Sequence, residues 1–366
     1  MEDDWYTEEP STIHWKRMDI PRIQFDPEKK VQPNERDKYL YQILQMLPDQ
    51  VLHRFWYCQS AAPISFDKAN FLSFFSTRTL SPLIHEHLQS YQTAIQYLHM
   101  NLYGEPGEPG QLPHLFKGLQ SLDLYIDKPT HLDILLRNIV FVGQSLRQLA
   151  LHAPDRRGEV SQKVQIAASR GDFTRCTSNL KQLKLVGMDI TNLFQPLTHF
   201  VNFHILTHLG IWGSGGVENF LSDLGTSARK HGLLLEHIAA DEFIQPGDEE
   251  NEFDRGVEEV LTSCRYIKSL HVAFQDRICL PQAIMNRILT TGQDLRILSL
   301  HCTGHDWTLG YDEFDRVCRA CPNLQQLACQ VDEIALLCVP NNRIYEIFMV
   351  SQIKAMQSSI SLPAWV

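Results

Sequence analysis

One short phrase recurs down this chain: an apolar residue, two others, an apolar residue, one other, an apolar residue. It reads Leu119-Leu122-Leu124, Leu146-Leu149-Leu151, Leu180-Leu183-Leu185 and Leu206-Leu209-Ile211. It continues as Leu235-Ile238-Ala240, Ile267-Leu270-Val272, Leu295-Leu298-Leu300 and Leu324-Leu327-Cys329. Successive first positions lie 27, 34, 26, 29, 32, 28 and 29 residues apart. A weaker copy, Ile95-Leu98-Met100, stands 24 residues before Leu119 and brings the number to nine. A period of about 20–50 residues marks units that bury their apolar faces only by stacking on one another.

Within the phrase the apolar residues end on a period of two, which is a strand. Between phrases the spacing turns helical. Residues 217–230 carry Phe220, Leu221 and Leu224 on one face. Residues 256–264, 281–289 and 312–320 follow the same plan, as does the stretch from Leu132 through Ile139 and Val140. Parallel strands require such crossovers. The predicted fold is α/β: a curved solenoid over residues 93–335, with a parallel concave sheet about 38 Å long and convex helices.

The flanks differ. Residues 1–33 are polar, interrupted by Pro and without period, and are expected to be loosely ordered. Residues 34–92 read as a helical N-terminal cap. Leu40, Ile43, Leu44 and Leu47 have helical spacing, Pro48 restarts a helix bearing Val51, Leu52, Phe55 and Trp56, and Asp67 can cap one bearing Phe71, Phe74 and Phe75. Ser81-Pro82 opens another, with Leu83, Ile84 and Leu88. Over residues 336–366, Ile344, Ile347, Phe348, Ile353 and Met356 suggest a closing helix. Three connections run long: 103–114, 153–178 and the acidic 241–254.

Net charge is −10, from 33 basic and 43 acidic residues, which argues against nucleic acid as the partner. The N-terminus lacks the apolar segment of a secretory signal, and no apolar run reaches the ~18–20 residues of a membrane span. Several of the nine cysteines occupy apolar positions of the repeat, as reduced thiols would. The expectation is a cytoplasmic or nuclear protein without membrane contact.

The phrase and its spacing resemble the leucine-rich repeat superfamily, in particular the irregular repeats of ribonuclease-inhibitor-like and F-box-associated proteins. Cys318-Arg319-Ala320-Cys321-Pro322-Asn323-Leu324-Gln325-Gln326-Leu327 and Gly292-Gln293-Asp294-Leu295-Arg296-Ile297-Leu298-Ser299-Leu300 carry the likeness best. One departure stands out. Regular repeats place Asn or Cys eight residues after the first Leu, where side chains satisfy buried turn backbone. Here those positions are Asp127, Pro154, Met188, Ser214, Phe243, Gln275, Thr303 and Asp332. The resemblance implies a non-catalytic module that binds a protein partner on the concave face. Met46-Leu47-Pro48-Asp49-Gln50-Val51-Leu52 is similar to the start of an F-box, although residues 53–62 do not continue that pattern. It implies an alternative: a substrate receptor of a ubiquitin ligase, with Leu47, Pro48, Val51 and Leu52 on the ligase adaptor.

If the apolar triplets face the core, the residues between and after them line the concave face. Six of these 27 positions are His, of 16 in the chain, against an expectation of about one. They are His99, His152, His208, His237, His271 and His301. With Tyr97, Tyr125, Trp212 and Asp241 they form the predicted binding surface, since aromatic anchors dominate recognition. His is also an adequate polar residue on a half-exposed strand, and clustered imidazoles suit a metal or a pH response. His208 and His237, with Asp241, are the best pair for that third reading. His301, Cys302, His305, Cys318 and Cys321 have no zinc-finger spacing. Trp212-Gly213-Ser214-Gly215-Gly216 opens a helix after a strand, a context in which a phosphate can bind, but it lacks the Lys-Ser/Thr of a P-loop. The expectation is no metal, no cofactor and no enzymatic activity.

Overall fold

A computed structural model of the chain describes residues 95–102, 118–126, 145–153, 179–229, 231–242, 252–275, 280–303 and 308–329, strand and helix residues between 40 and 91, residues 162 and 166, and the pair 346–347. The chain opens with β1 (Arg54–Cys58), β2 (Ser65–Asp67), β3 (Phe71–Phe75) and α1 (Pro82–Tyr91). Strands β4 (Tyr97–Leu102), β5 (Ser121–Ile126), β6 (Gln148–His152) and β7 (Gln182–Val186) follow. Strands then alternate with helices: α2 (Phe194–Thr198), β8 (His208–Trp212), α3 (Val217–Ala228), β9 (His237–Asp241) and α4 (Glu252–Ser263). The last elements are β10 (Ser269–Gln275), α5 (Gln282–Thr291), β11 (Ile297–Thr303), α6 (Tyr311–Ala320), β12 (Gln326–Ala328) and β13 (Glu346–Ile347).

The strands form one sheet in the order β13-β12-β11-β10-β9-β8-β7-β6-β5-β4-β1-β3-β2. Every neighbouring pair is parallel except β2 and β3. Nine strands, β4 to β12, carry the repeated phrase and lie side by side in chain order. The phrase also sets the register: Leu183 stands opposite Leu209, Leu209 opposite Ile238, Ile238 opposite Leu270, and Leu270 opposite Leu298. A slip of one residue would turn every apolar side chain to the other face, so the pattern permits only this alignment.

The triplets are buried from Leu119 to Cys329 and join the inward residues of the helices in one apolar cluster. In α3, Phe220, Leu221 and Leu224 face that cluster, and in α4 Phe253, Val257, Val260 and Leu261 do so. Phe194, Phe203 and Phe220 meet one another within it, with ring centroids 5.0–5.9 Å apart. Helices α3 and α4 lie close because glycine stands at the contact. A Cβ on Gly225 would sit 2.7 Å from Glu259 Cβ, and one on Gly256 would sit 2.8 Å from the Glu218 carbonyl oxygen. Gly216, at φ 73°, turns the chain from β8 into α3 against the Thr191 backbone, where no side chain fits.

One of the irregular positions eight residues into the repeat works as the regular ones do. Ser214 is fully buried; its Oγ accepts a hydrogen bond from the Met188 N–H at 3.3 Å and donates to the Trp212 carbonyl at 3.1 Å. Side chain and backbone together close this turn, where an Asn or Cys was absent from the sequence.

The cap is not wholly helical. Leu40 and Leu44 are helical and buried with Ile84 and Leu88 of α1, which starts at Pro82. The helices expected to carry Phe55 and Trp56, and Phe71, Phe74 and Phe75, are instead strands β1 and β3. Phe55 lies opposite Leu98 of β4 and Leu72 of β3. Both segments are rich in aromatic residues, which suit a pleated surface, and the edge of β4 offers unpaired backbone groups. At the other end, Ile347 of the expected closing helix belongs to β13, opposite Leu327. Ile344, Phe348, Ile353 and Met356 lie outside the described residues, as do residues 1–33, the helix at Leu132 and most of the three long connections. Among the described residues, no helix is long and apolar enough to cross a membrane.

Candidate functional site: the open face of the sheet

Along β5, β7 and β8, buried residues alternate with half-buried or exposed ones, and β6 departs only at its end, where His152 is buried as well as Leu151. The buried set meets the helices, so the other set forms an open face of the sheet. Three rows cross it. The lower row runs Ser121, Gln148, Gln182, His208 and His237 and ends at Ser269, which is buried. The middle row runs Asp123, Ala150, Lys184, Gly210, Ala239 and His271. The upper row contains Tyr125, His152, Val186 and Trp212.

Side chains in these rows pair across strands. Tyr125 and His152, opposite each other, stack with ring centroids 4.2 Å apart and planes 12° apart. His152 Nε2 also lies 2.8 Å from Asp123 Oδ1. Asp123 is one of the 27 positions expected on this face but not one of the expected binding residues; its meeting with His152 is diagonal and depends on register. In the lower row, His208 and His237 stack at 4.1 Å, 8° from parallel. Thr207 Oγ1 lies 2.9 Å from His208 Nδ1 and orients that ring.

Trp212 reaches furthest. Its ring lies 4.7 Å from that of His271, two strands away. Small residues beneath make this possible. A Cβ on Gly210 would lie 3.1 Å from Trp212 Nε1, and Ala239 follows Gly210 in the same row. His271 Nε2 is 4.0 Å from Asp241 Oδ1. Gly210 and Ala239 are positioning residues that sequence reasoning missed. A tolerated glycine between two aliphatic strand residues was the available signal.

Burial governs the charge state. The His208 imidazole is pushed down to about 4 by burial and by His237 beside it, and His237 is lowered for the first of these reasons. His271 is pushed down to about 4 by burial, with His301 acting in the same direction. Burial raises the Asp241 carboxyl to about 7, opposed by a hydrogen bond from the Gly213 N–H. Near neutral pH these imidazoles are therefore uncharged, and the face offers ring surface and hydrogen-bonding atoms more than formal charge.

The predicted residues divide accordingly. Tyr125 with His152, His208 with His237, and Trp212 with Asp241 and His271 come together in three groups. Tyr97 is half-buried on β4, His99 takes the register position opposite Asp123, and His301 is exposed near the end of β11. Leu47, Pro48, Val51 and Leu52 lie outside the described residues, and the chain after them enters β1.

Stacked, parallel imidazoles aim their nitrogens side by side and do not converge on one ion, and Asp241 belongs to the group at the other end of β9. Among the described residues no three His, Cys, Asp or Glu side chains are placed to share a metal. Cys302 and Cys321 are buried while His301 is exposed, so those members of the zinc-like set are not assembled. Burial pushes the Cys321 thiol up to about 11 and Cys329 up to about 12. The glycine loop after β8 is engaged within the chain: Gly213 donates to the Asp241 carboxyl and Gly215 donates to the Met188 carbonyl at 3.0 Å. Set against protein-family models and against curated proteins, the chain matches none.

Proposed function

We propose that this chain is a leucine-rich-repeat solenoid and a non-catalytic recognition module. Its open sheet face, the concave side of that solenoid, takes a protein partner. The observation that carries the reading is the set of three cross-strand aromatic groups on that face: Tyr125–His152, His208–His237 and Trp212–His271. Each ring is held by a neighbour, so a partner meets a preformed surface and orders few side chains on binding. Indole and phenol rings supply large contact area at low entropic cost. The buried thiols of Cys264, Cys321 and Cys329, outside any disulfide, accord with a reducing compartment, cytoplasmic or nuclear.

The test is capture of partners by the purified chain, identified by mass spectrometry, and repeated with Trp212→Ala and with Tyr125→Ala. A partner held by the native chain and lost from both variants is the expected outcome. Partners that both variants retain in full would move recognition off this face.

A further inference from the structure

A second surface lies at the edge where the chain enters the strands. In each repeat the buried first apolar residue is flanked by two outward positions, one on either side. On the far side of Leu206, Leu235 and Ile267 stand Ile205, Leu234 and Tyr266, one from each of three successive repeats. Leu234 is 50% exposed and Tyr266 62%, the highest values among exposed large apolar residues described. On the near side run Arg147, Lys181, Thr207, Glu236, Lys268 and Arg296. Their backbones are stitched in that order by N–H to carbonyl hydrogen bonds of 2.7–2.9 Å, so they form one continuous row from β6 to β11. Arg265 adds an exposed cation beside Gly232.

This edge opposes the charge of the whole. The chain carries an excess of ten acidic residues, yet here five cations meet two acids. Of the acids, Glu236 is held by Lys268 at 2.8 Å and Asp294 is exposed. Adjacent exposed apolar side chains on a soluble surface mark contact sites when they are rimmed by polar groups.

We propose that this edge docks an extended, acidic segment of a protein partner, anchored by apolar side chains on Leu234 and Tyr266. From β6 to β11 the row spans about 24 Å, the length of about seven extended residues. Carboxylates of the segment meet Arg147, Lys181 and Arg296, and its apolar residues cover the Leu234–Tyr266 pair. Glu236 interrupts the row and Asp294 stands on its far side, which disfavours a uniform polyanion such as nucleic acid or an anionic membrane. A peptide can place neutral residues opposite them. The row adjoins the His208–His237 pair through Thr207, but Trp212 and Tyr125 lie at the opposite end of their strands, so variants at those two positions test the other proposal separately.

Fluorescence anisotropy on the full chain tests it, using a labelled nine-residue peptide of Glu alternating with Leu and Trp. The same peptide with Lys for Glu, a single-stranded oligonucleotide and phosphatidylserine vesicles are the comparisons. The acidic peptide should bind, and lose about tenfold or more in affinity in the Lys181→Glu/Arg296→Glu variant, in Tyr266→Ala and at high salt. Trp212→Ala should leave that affinity unchanged. Lys181, Arg296 and Tyr266 are all exposed and outside the core, and circular dichroism confirms that the variants fold. Absence of binding, equal binding of the Lys peptide, or affinity unmoved by these variants would overturn the proposal. So would tighter binding of the oligonucleotide or the vesicles.

Discussion

The two faces of strands β4 to β12 are made from alternate residues of the same short segments, yet they follow different rules. The core face is almost uniformly aliphatic, with Leu, Ile and Val repeated in register and each position touching the same kind of neighbour. The open face is irregular: imidazole, indole, phenol, amide, Gly and Ala succeed one another without period. A core position must be apolar and of the right volume, so it tolerates little else. A position no helix covers can differ in every repeat. Stability is thereby spread along the first face, while the aromatic contacts are concentrated at a few places on the second.

The comparison breaks most readily at the core. Leu209→Ala or Leu298→Ala removes a side chain no more than 2% exposed and should cost ~2–5 kcal/mol in chemical denaturation. A cost below ~1 kcal/mol would erase the distinction between the faces. Gly225→Val is next. It forces a Cβ against Glu259, 2.7 Å away, and should cost ~1–3 kcal/mol by the same measurement as α3 and α4 are pushed apart. Trp212→Ala and Tyr125→Ala should behave in the opposite sense, costing less than ~1 kcal/mol of stability while abolishing partner capture.

The smallest effect is the pH dependence, and its sign separates the residues of the open face. His208 and His271 titrate near about 4 in the folded chain against 6.5 when unfolded, so their contribution is complete above 6.5 and is lost as pH falls towards 4. Asp241 acts the other way. Its folded value of about 7 lies above 3.8, so its contribution is present below 3.8 and is lost as pH rises through 7. Thermal unfolding of Asp241→Asn should therefore improve relative to the native chain as pH rises across that window. A constant difference would mean that this carboxyl is not the buried group described.

Much of the fold was legible because its signal is local and repeated. The register Leu183, Leu209, Ile238, Leu270 and Leu298 follows from one phrase, and α3 to α6 follow from helical spacing between phrases. The first cap misled for a physical reason. Phe55 with Trp56, and Phe71 with Phe74 and Phe75, satisfy helical spacing, but the edge of β4 supplies a partner for β1, and β1 one for β3, that no local pattern announces. The candidate site was legible as a list of residues and not as an arrangement. His208 and His237 could be placed side by side from the repeat alone. That Trp212 crosses to His271, or that His152 meets Asp123 on the diagonal, could not.

By itself, then, the sequence determined the alternation: which residues of each strand are apolar, how often the unit recurs and hence which face is buried. Hydrophobic burial is non-directional and roughly proportional to area, so a pattern is enough to specify it. The tertiary structure decided which polar and aromatic side chains meet, which carboxyl is shielded enough to hold its proton near neutral pH, and where cations and apolar side chains gather at the strand-entry edge. Those outcomes depend on distances of a few ångströms between residues from different repeats, and such distances exist only once the strands are paired.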